Sequence, residues 1–202
     1  MKEKKRTSDR RVLIITGTPG TGKSSVSKAL ASKIGAKVVS VGELVKKERL
    51  YTEWDNERET LIADMKVLSR RINQIIDSIK GDLIIEGHYA VHVVSPERVR
   101  FVFVLRKNPK YLKRILEERG YNQRKIRENL VAEILDVCLF DAVSICGVEK
   151  VCEINTDFKG PSEVAEEILL IIEGKKEPHV GIVDWLGMLE AEGKLDDYLK
   201  DF

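Results

Sequence analysis

Apolar positions recur along the chain in two rhythms. Val12-Leu13-Ile14-Ile15 is an unbroken apolar run, as a strand buried on both faces of a parallel sheet requires. Directly after a glycine-rich stretch, Val26, Ala29, Leu30 and Ile34 fall at helical spacing. The same alternation continues. Lys37 to Val41 predicts a second strand and Glu43 to Leu50 a short helix, while Tyr51 to Thr60 shows no period of either kind. That acidic stretch with two aromatics reads either as a surface excursion over a ligand or as a connecting loop. Between Asp64 and Lys80 the residues Val67, Leu68, Arg71, Ile72, Ile75, Ile76 and Ile79 line one stripe, which predicts an amphipathic helix ended by Gly81.

Further strands are predicted over Asp82 to His88, Val99 to Leu105 and Val151 to Ile154. Helices are predicted over Pro109 to Arg119, over Arg124 to Ser144 as one long element, and over Pro161 to Glu173. Strands alternating with helices imply an α/β fold with a doubly wound parallel sheet and helices on both faces. Beyond Gly174 the pattern breaks at Lys-Lys-Glu-Pro, and Val180 to Phe202 forms an apolar appendage that could dock back, make a dimer contact or grip a partner; docking back is the default, because so much exposed apolar surface is unusual. The expected organisation is a basic tail over 1–10, a main domain over 11–174 and the appendage over 175–202.

The chemistry is concentrated in the stretch after the first strand. Gly17-Thr18-Pro19-Gly20-Thr21-Gly22-Lys23-Ser24 fits G-x-x-x-x-G-K-[ST] at every specified position, between a strand and a helix as that motif demands. A nucleotide phosphate belongs there. Glycines let successive N–H groups point inward, the helix N-terminus adds positive potential, Lys23 reaches the outer phosphates and the Ser24 hydroxyl can ligate magnesium.

Other candidates stand at strand ends, where such sheets bind ligands. The third predicted strand ends in Glu86-Gly87-His88, so that Glu86 can hold Mg²⁺ through water; Asp55 and Asp64 are alternative carboxylates. His88 could position water or be an ordinary polar residue. Arg106 ends the next strand. From Arg106 to Arg127 there are nine Lys or Arg against two Glu, which reads as a phosphate clamp or as a solvated helical face. Asn155 to Lys159 could lie against a nucleotide base or serve only as a connector.

Composition excludes several classes. The chain has 202 residues, enough for one domain, and 43% hydrophobic content supports a proper core. With 35 Lys+Arg against 33 Asp+Glu, no global field draws it to nucleic acid or to a membrane. Cys138, Cys146 and Cys152 are odd in number and lack C-x-x-C spacing, arguing against a disulfide framework or a zinc site. The charged N-terminus has no apolar stretch behind it and no run reaches transmembrane length, so a cytoplasmic protein is expected.

Taken together, Gly17 to Ser25, Val41-Gly-Glu-Leu-Val-Lys46, Leu50-Tyr51, Glu86-Gly-His88, Ser95-Pro-Glu-Arg98, Val104-Leu-Arg106 and Arg119-Gly-Tyr-Asn-x-x-Lys-Ile126, with Glu128-Asn129 and Glu133, resemble the adenylate kinase isoenzyme 6 family over roughly residues 11–173. The resemblance implies a P-loop nucleoside-monophosphate-kinase-like sheet, with a monophosphate-binding region near 40–62 and a short lid near 118–128. It implies transfer of the ATP γ-phosphoryl group to AMP with Mg²⁺, together with ATPase activity used in small ribosomal subunit maturation and a small-subunit ribosomal protein or rRNA as partner. By position, Gly17, Pro19, Gly20, Thr21, Gly22, Lys23, Ser24 and Ser25 would bind ATP, Arg119 its phosphates and Lys159 its base. Lys46 and Arg106 would bind AMP, Ser24 and Glu86 would face the metal, and Lys23, Arg106, Arg119, Glu86 and His88 would serve catalysis. Two positions depart from the family pattern: Glu86 stands where many relatives have Asp, and Lys46 where arginine is expected. An ATP-switched assembly factor without kinase activity, and a kinase for another nucleoside monophosphate or a small metabolite, are the alternatives.

Overall fold

The computed structural model describes residues 11–200. The basic tail expected over 1–10, and Phe202 of the appendage, lie outside the described residues.

Five parallel strands form the central sheet in the order β2 (Lys37–Ser40), β5 (Leu83–Glu86), β1 (Val12–Thr16), β6 (Phe101–Arg106) and β7 (Val151–Asn155). Strand periodicity divides β1 between two cores. Val12 and Ile14 join one cluster with Leu68, Ile72 and Ile76 of α3 (Met65–Ser78) and Val41 and Val45 of α2 (Val41–Glu48). Leu13 and Ile15 join the other, with Val26 and Leu30 of α1 (Lys23–Ile34) and Val164 and Ile168 of α8 (Pro161–Ile172). Both faces are covered, and the apolar runs of the sequence are accounted for.

Three sequence expectations change. The aperiodic stretch after Leu50 is a two-stranded antiparallel hairpin, β3 (Tyr51–Asp55) and β4 (Thr60–Ala63). Its residues are mostly exposed or half-buried, so no inward-facing apolar row marks it. At its tip Asp55 Oδ1 accepts from the backbone N–H groups of Glu57 and Arg58, each at 2.9 Å, a side-chain-stabilised turn. The single helix expected over 124–144 is two, α6 (Gln123–Ile134) and α7 (Val137–Cys146), broken where Asp136 takes a left-handed φ of 56°. Arg106, expected in the ligand cleft, is buried in a carboxylate cluster.

Docking back is what residues 179–199 do. The backbone N–H of Glu153 on edge strand β7 donates to the His179 carbonyl at 2.8 Å, so the appendage covers that edge. Trp185 and Leu189 of α9 (Trp185–Ala191) are buried, and Tyr198 of α10 (Asp196–Leu199) packs on the cluster of Leu112, Leu116, Ile126 and Leu130. Among the described residues, no helix is long and apolar enough to cross a membrane.

Candidate nucleotide site

The Gly17 to Ser24 loop is built by close backbone approach. Gly17 has φ +134°, and a Cβ there would stand 2.4 Å from the Leu105 carbonyl oxygen; at Gly20, φ +97°, it would stand 2.7 Å from Leu112 Cδ1. These contacts press the loop between β6 and α5 (Pro109–Glu118). The loop delivers Lys23 and Ser24 as the first residues of α1, whose first turn holds no acidic residue to compete for an anion. Lys23 Nζ donates to the carbonyls of Gly17, at 2.8 Å, and Thr18, at 3.0 Å. Burial holds the Lys23 ammonium below its ordinary pKa, and the negative charges of Glu86 and Glu133 partly offset that.

A cleft of about 400 Å³ opens over the loop, at the C-terminal edge of the sheet. Pro19, Gly20, Gly22, Lys23, Ser24 and Ser25 line it on the loop side; Lys46, Glu86, His88 and Arg119 line it opposite. Gly17 and Thr21 of the loop are not part of that lining: Thr21 is buried and its hydroxyl donates to the Thr18 carbonyl at 2.9 Å.

Each wall has a local cause. Ser40 caps α2 and so sets the helix that carries Lys46 toward the cleft. Arg119 closes α5, Gly120 turns with φ 72°, and Asn122 caps α6 by accepting from Lys125 N at 2.8 Å. Tyr121, with the Lys125 ammonium 4.7 Å over its ring, also lines the cleft.

On the β5 side, Ser24 Oγ donates to Glu86 Oε1 at 3.1 Å. A hydroxyl and a carboxylate oxygen side by side form a hard donor pair that suits Mg²⁺. The other two candidate carboxylates are engaged elsewhere: Asp64 caps α3 through Lys66 N and Val67 N, and Asp55 holds the hairpin tip. His88 is buried enough that its pKa falls to about 4, with the Lys23 ammonium pushing in the same direction. Its Nδ1 lies 3.5 Å from Cys138 Sγ, a thiol that burial pushes up to about 11. At neutral pH both groups are therefore uncharged.

A second, mainly apolar slot of about 200 Å³ adjoins the cleft and shares Gly42, Lys46 and His88 with it. Val41, Val45, Leu61 and Leu68 supply its apolar walls, and Thr60 of the hairpin and Tyr89 complete them. The hairpin that the sequence hides is thus part of a compartment.

Arg106 is 1% exposed and is absent from the cleft lining. Its Nε donates to Glu133 Oε1 at 2.9 Å, and its other nitrogens reach Glu153, Asp136 and, at 2.9 Å, the Glu133 carbonyl. Three carboxylates hold the guanidinium, which is turned away from the cleft where it was expected to meet a substrate phosphate. Lys159 is likewise outside the cleft lining, paired with Glu167 at 2.8 Å. Beside it Phe158 is 88% exposed with φ 57°, edge-on to Tyr111 at 5.2 Å.

Ser40, Gly42, Glu43 and Tyr121 fall inside the expected regions near 40–62 and 118–128 but were not singled out as cleft residues, and Glu133 was missed as the partner of Arg106. Ser40 also carried a local signal, as a hydroxyl residue three before Glu43 at a helix start.

Fold and site define a P-loop α/β protein of the kinase type. Residues 13–136 match the family described as AAA domain. The chain is 40% identical over 173 residues to a Methanocaldococcus jannaschii protein named "Putative adenylate kinase", covering 86% of this chain and 92% of that one. A Methanosarcina barkeri protein of the same name is 40% identical over 183 residues, covering 87% and 97%. The chain belongs to the family of these archaeal proteins. In fold it is similar to shikimate kinase from Acinetobacter baumannii, with a TM-score of 0.58 at 16% identity over 84% of this chain and 97% of that one.

Proposed function

We propose that this protein is an adenylate kinase, transferring the γ-phosphoryl group of ATP to AMP to give two ADP. The observation that carries this reading is the apolar slot opening off the phosphate cleft. One compartment offers a phosphate loop, the other offers a base-sized apolar pocket, and Lys46 and His88 stand between them. A nucleoside monophosphate fits that pair: its base enters the slot and its phosphate faces Lys46. A simple ATPase has no use for the second compartment. The names carried by the archaeal relatives agree with this reading.

Phosphoryl transfer leaves little covalent work to the protein, so the residues act by holding charge and geometry. Lys23 exchanges the Gly17 and Thr18 carbonyls for the β- and γ-phosphate oxygens of ATP. Arg119 approaches the same oxygens from the lid and neutralises charge that spreads onto them in transfer. Lys46 holds the acceptor phosphate in line as a point charge. Ser24 and Glu86 would hold Mg²⁺, which when bound neutralises the phosphate oxygens. His88, neutral at neutral pH, offers no positive charge to the phosphates; it borders both compartments and can orient the acceptor or a water.

ATP hydrolysis serving small ribosomal subunit maturation, with a ribosomal protein or rRNA as partner, follows from the family resemblance alone and is the second reading. Initial rates with Mg-ATP and each of AMP, CMP, UMP, GMP and dTMP test the acceptor class. AMP is expected to give the highest kcat/KM; equal rates with every monophosphate, or with none, would contradict the proposal.

A further inference from the structure

The appendage reaches the phosphate loop through a chain of buried hydrogen bonds. Trp185 is 7% exposed, and its Nε1–H donates to Glu133 Oε1 at 3.2 Å. That oxygen also accepts from Arg106 Nε at 2.9 Å and from the Lys107 backbone N–H at 3.0 Å. The other oxygen, Oε2, accepts from Thr18 Oγ1 at 2.6 Å, and Thr18 belongs to the loop itself. Thr18 is buried, and its carbonyl is one of the two that Lys23 Nζ touches. The same segment makes two further bonds to the cluster: Ile182 N–H donates to Glu153 Oε2 at 2.7 Å, and the His179 carbonyl accepts from Glu153 N–H.

Glu133 is 1% exposed, so its carboxylate is shut off from bulk solvent and its orientation is set by its donors. Three donors fix Oε1; that leaves Oε2 aimed at Thr18. We propose that Trp185 is a positioning residue of the nucleotide site, acting through Glu133 to hold Thr18 and thereby the conformation of the phosphate loop. Residues 179–189 then complete the loop's support from the far side of the sheet edge. The loop is preorganised for phosphate by a segment that touches no part of the cleft. This rests on the reading of the loop as the ATP site, so the test reads nucleotide binding directly and does not depend on turnover.

Calorimetric binding of Mg²⁺ with a non-hydrolysable ATP analogue is compared in wild type, Trp185→Phe, Thr18→Val, Thr18→Ser and the double variant Trp185→Phe/Thr18→Val. Trp185→Phe keeps an aromatic ring but removes the donor. It is expected to weaken binding by about tenfold, the lower end for one buried hydrogen bond to a charged group. Thr18→Val is expected to weaken it at least as much, and Thr18→Ser to bind like wild type because the hydroxyl is kept. Because both residues act along one chain of contacts, the double variant is expected to bind no worse than Thr18→Val alone. Effects that multiply in the double variant, or Trp185→Phe binding like wild type, would overturn the inference. Should Trp185→Phe not fold, Trp185 is read in a Trp54→Phe background, where it is the remaining tryptophan. Its emission is expected to shift on saturation with the analogue, and an unchanged spectrum would overturn the inference. Wild type that binds no nucleotide would instead refute the site reading beneath it.

Discussion

Arg106 and Glu133 meet with Nε and Oε1 2.9 Å apart, each side chain 1% exposed, on opposite sides of a 27-residue gap in the sequence. Glu153 and Asp136 complete the pairing, so the charge of the guanidinium is fully met inside the protein. Removing it leaves buried carboxylates uncompensated. Arg106→Ala is expected to destabilise the fold by about 3–5 kcal/mol, roughly ten degrees in melting temperature for a domain of this size. A thermal melt checks this. Lost transfer with an unchanged melt would instead place Arg106 at the substrate.

Acid should weaken the fold through His88. Its folded pKa of about 4 lies below the ordinary 6.5, so the unfolded chain takes up the proton first as pH falls. Stability from this group is complete above about pH 6.5 and is lost between there and pH 4, at most about 3 kcal/mol. Urea unfolding at pH 7.5 and pH 4.5 measures it. Wild type is expected to lose more stability across that interval than His88→Asn; equal losses would show that the imidazole is not held neutral.

The hairpin is tied to α6 by two ion pairs and a hydrogen bond, all near the surface. Arg58 Nε meets Glu128 Oε2 at 3.1 Å, Arg124 Nη1 meets Glu57 Oε2 at 2.6 Å, and Lys125 Nζ donates to the Glu59 carbonyl at 3.3 Å. Exposed pairs are worth about 1 kcal/mol or less each and are screened by salt. Raising ionic strength from about 0.05 M to 0.5 M should therefore raise KM for the monophosphate by less than about tenfold. The double variant Arg58→Ala/Arg124→Ala should lose most of that salt response. A response equal to wild type would mean the hairpin and α6 are held by something else.

Glu86→Gln removes the charge beside Ser24 but keeps the shape. Rates measured against free Mg²⁺ should show a requirement raised by about tenfold, since one hard, charged ligand oxygen is replaced by an amide. Asp55→Asn, at the hairpin tip, should leave the Mg²⁺ requirement alone. The opposite pattern would move the metal-side acid to Asp55.

Much of this architecture is written locally in the sequence. Val12 to Ile15 could be read as a buried strand because both its faces meet helices, and α3 because one stripe meets the core. The phosphate loop was legible for the same reason: every group it needs lies within eight consecutive residues. The break between α6 and α7 was not. Ile134, Leu135, Val137, Cys138, Leu139 and Phe140 keep helical spacing satisfied straight across it, and Asp136 is held in its left-handed turn beside Arg106, a partner 30 residues away. Arg106 illustrates the general limit. An arginine at a strand end looks alike whether it faces a ligand or a carboxylate cluster, and what decides is Glu133, Asp136 and Glu153, none of them nearby in sequence. The hairpin escaped because it packs no alternating face on the core.

The central claim is that the phosphate loop and the apolar slot serve one transfer between two nucleotides. Following the label from γ-³²P-ATP in the presence of Mg²⁺ and AMP tests it most directly. The label is expected in ADP, at a rate far above its release as inorganic phosphate, and Lys23→Ala is expected to abolish both. Label found only in inorganic phosphate, at a rate indifferent to AMP, would contradict the account and leave the slot without the role given to it.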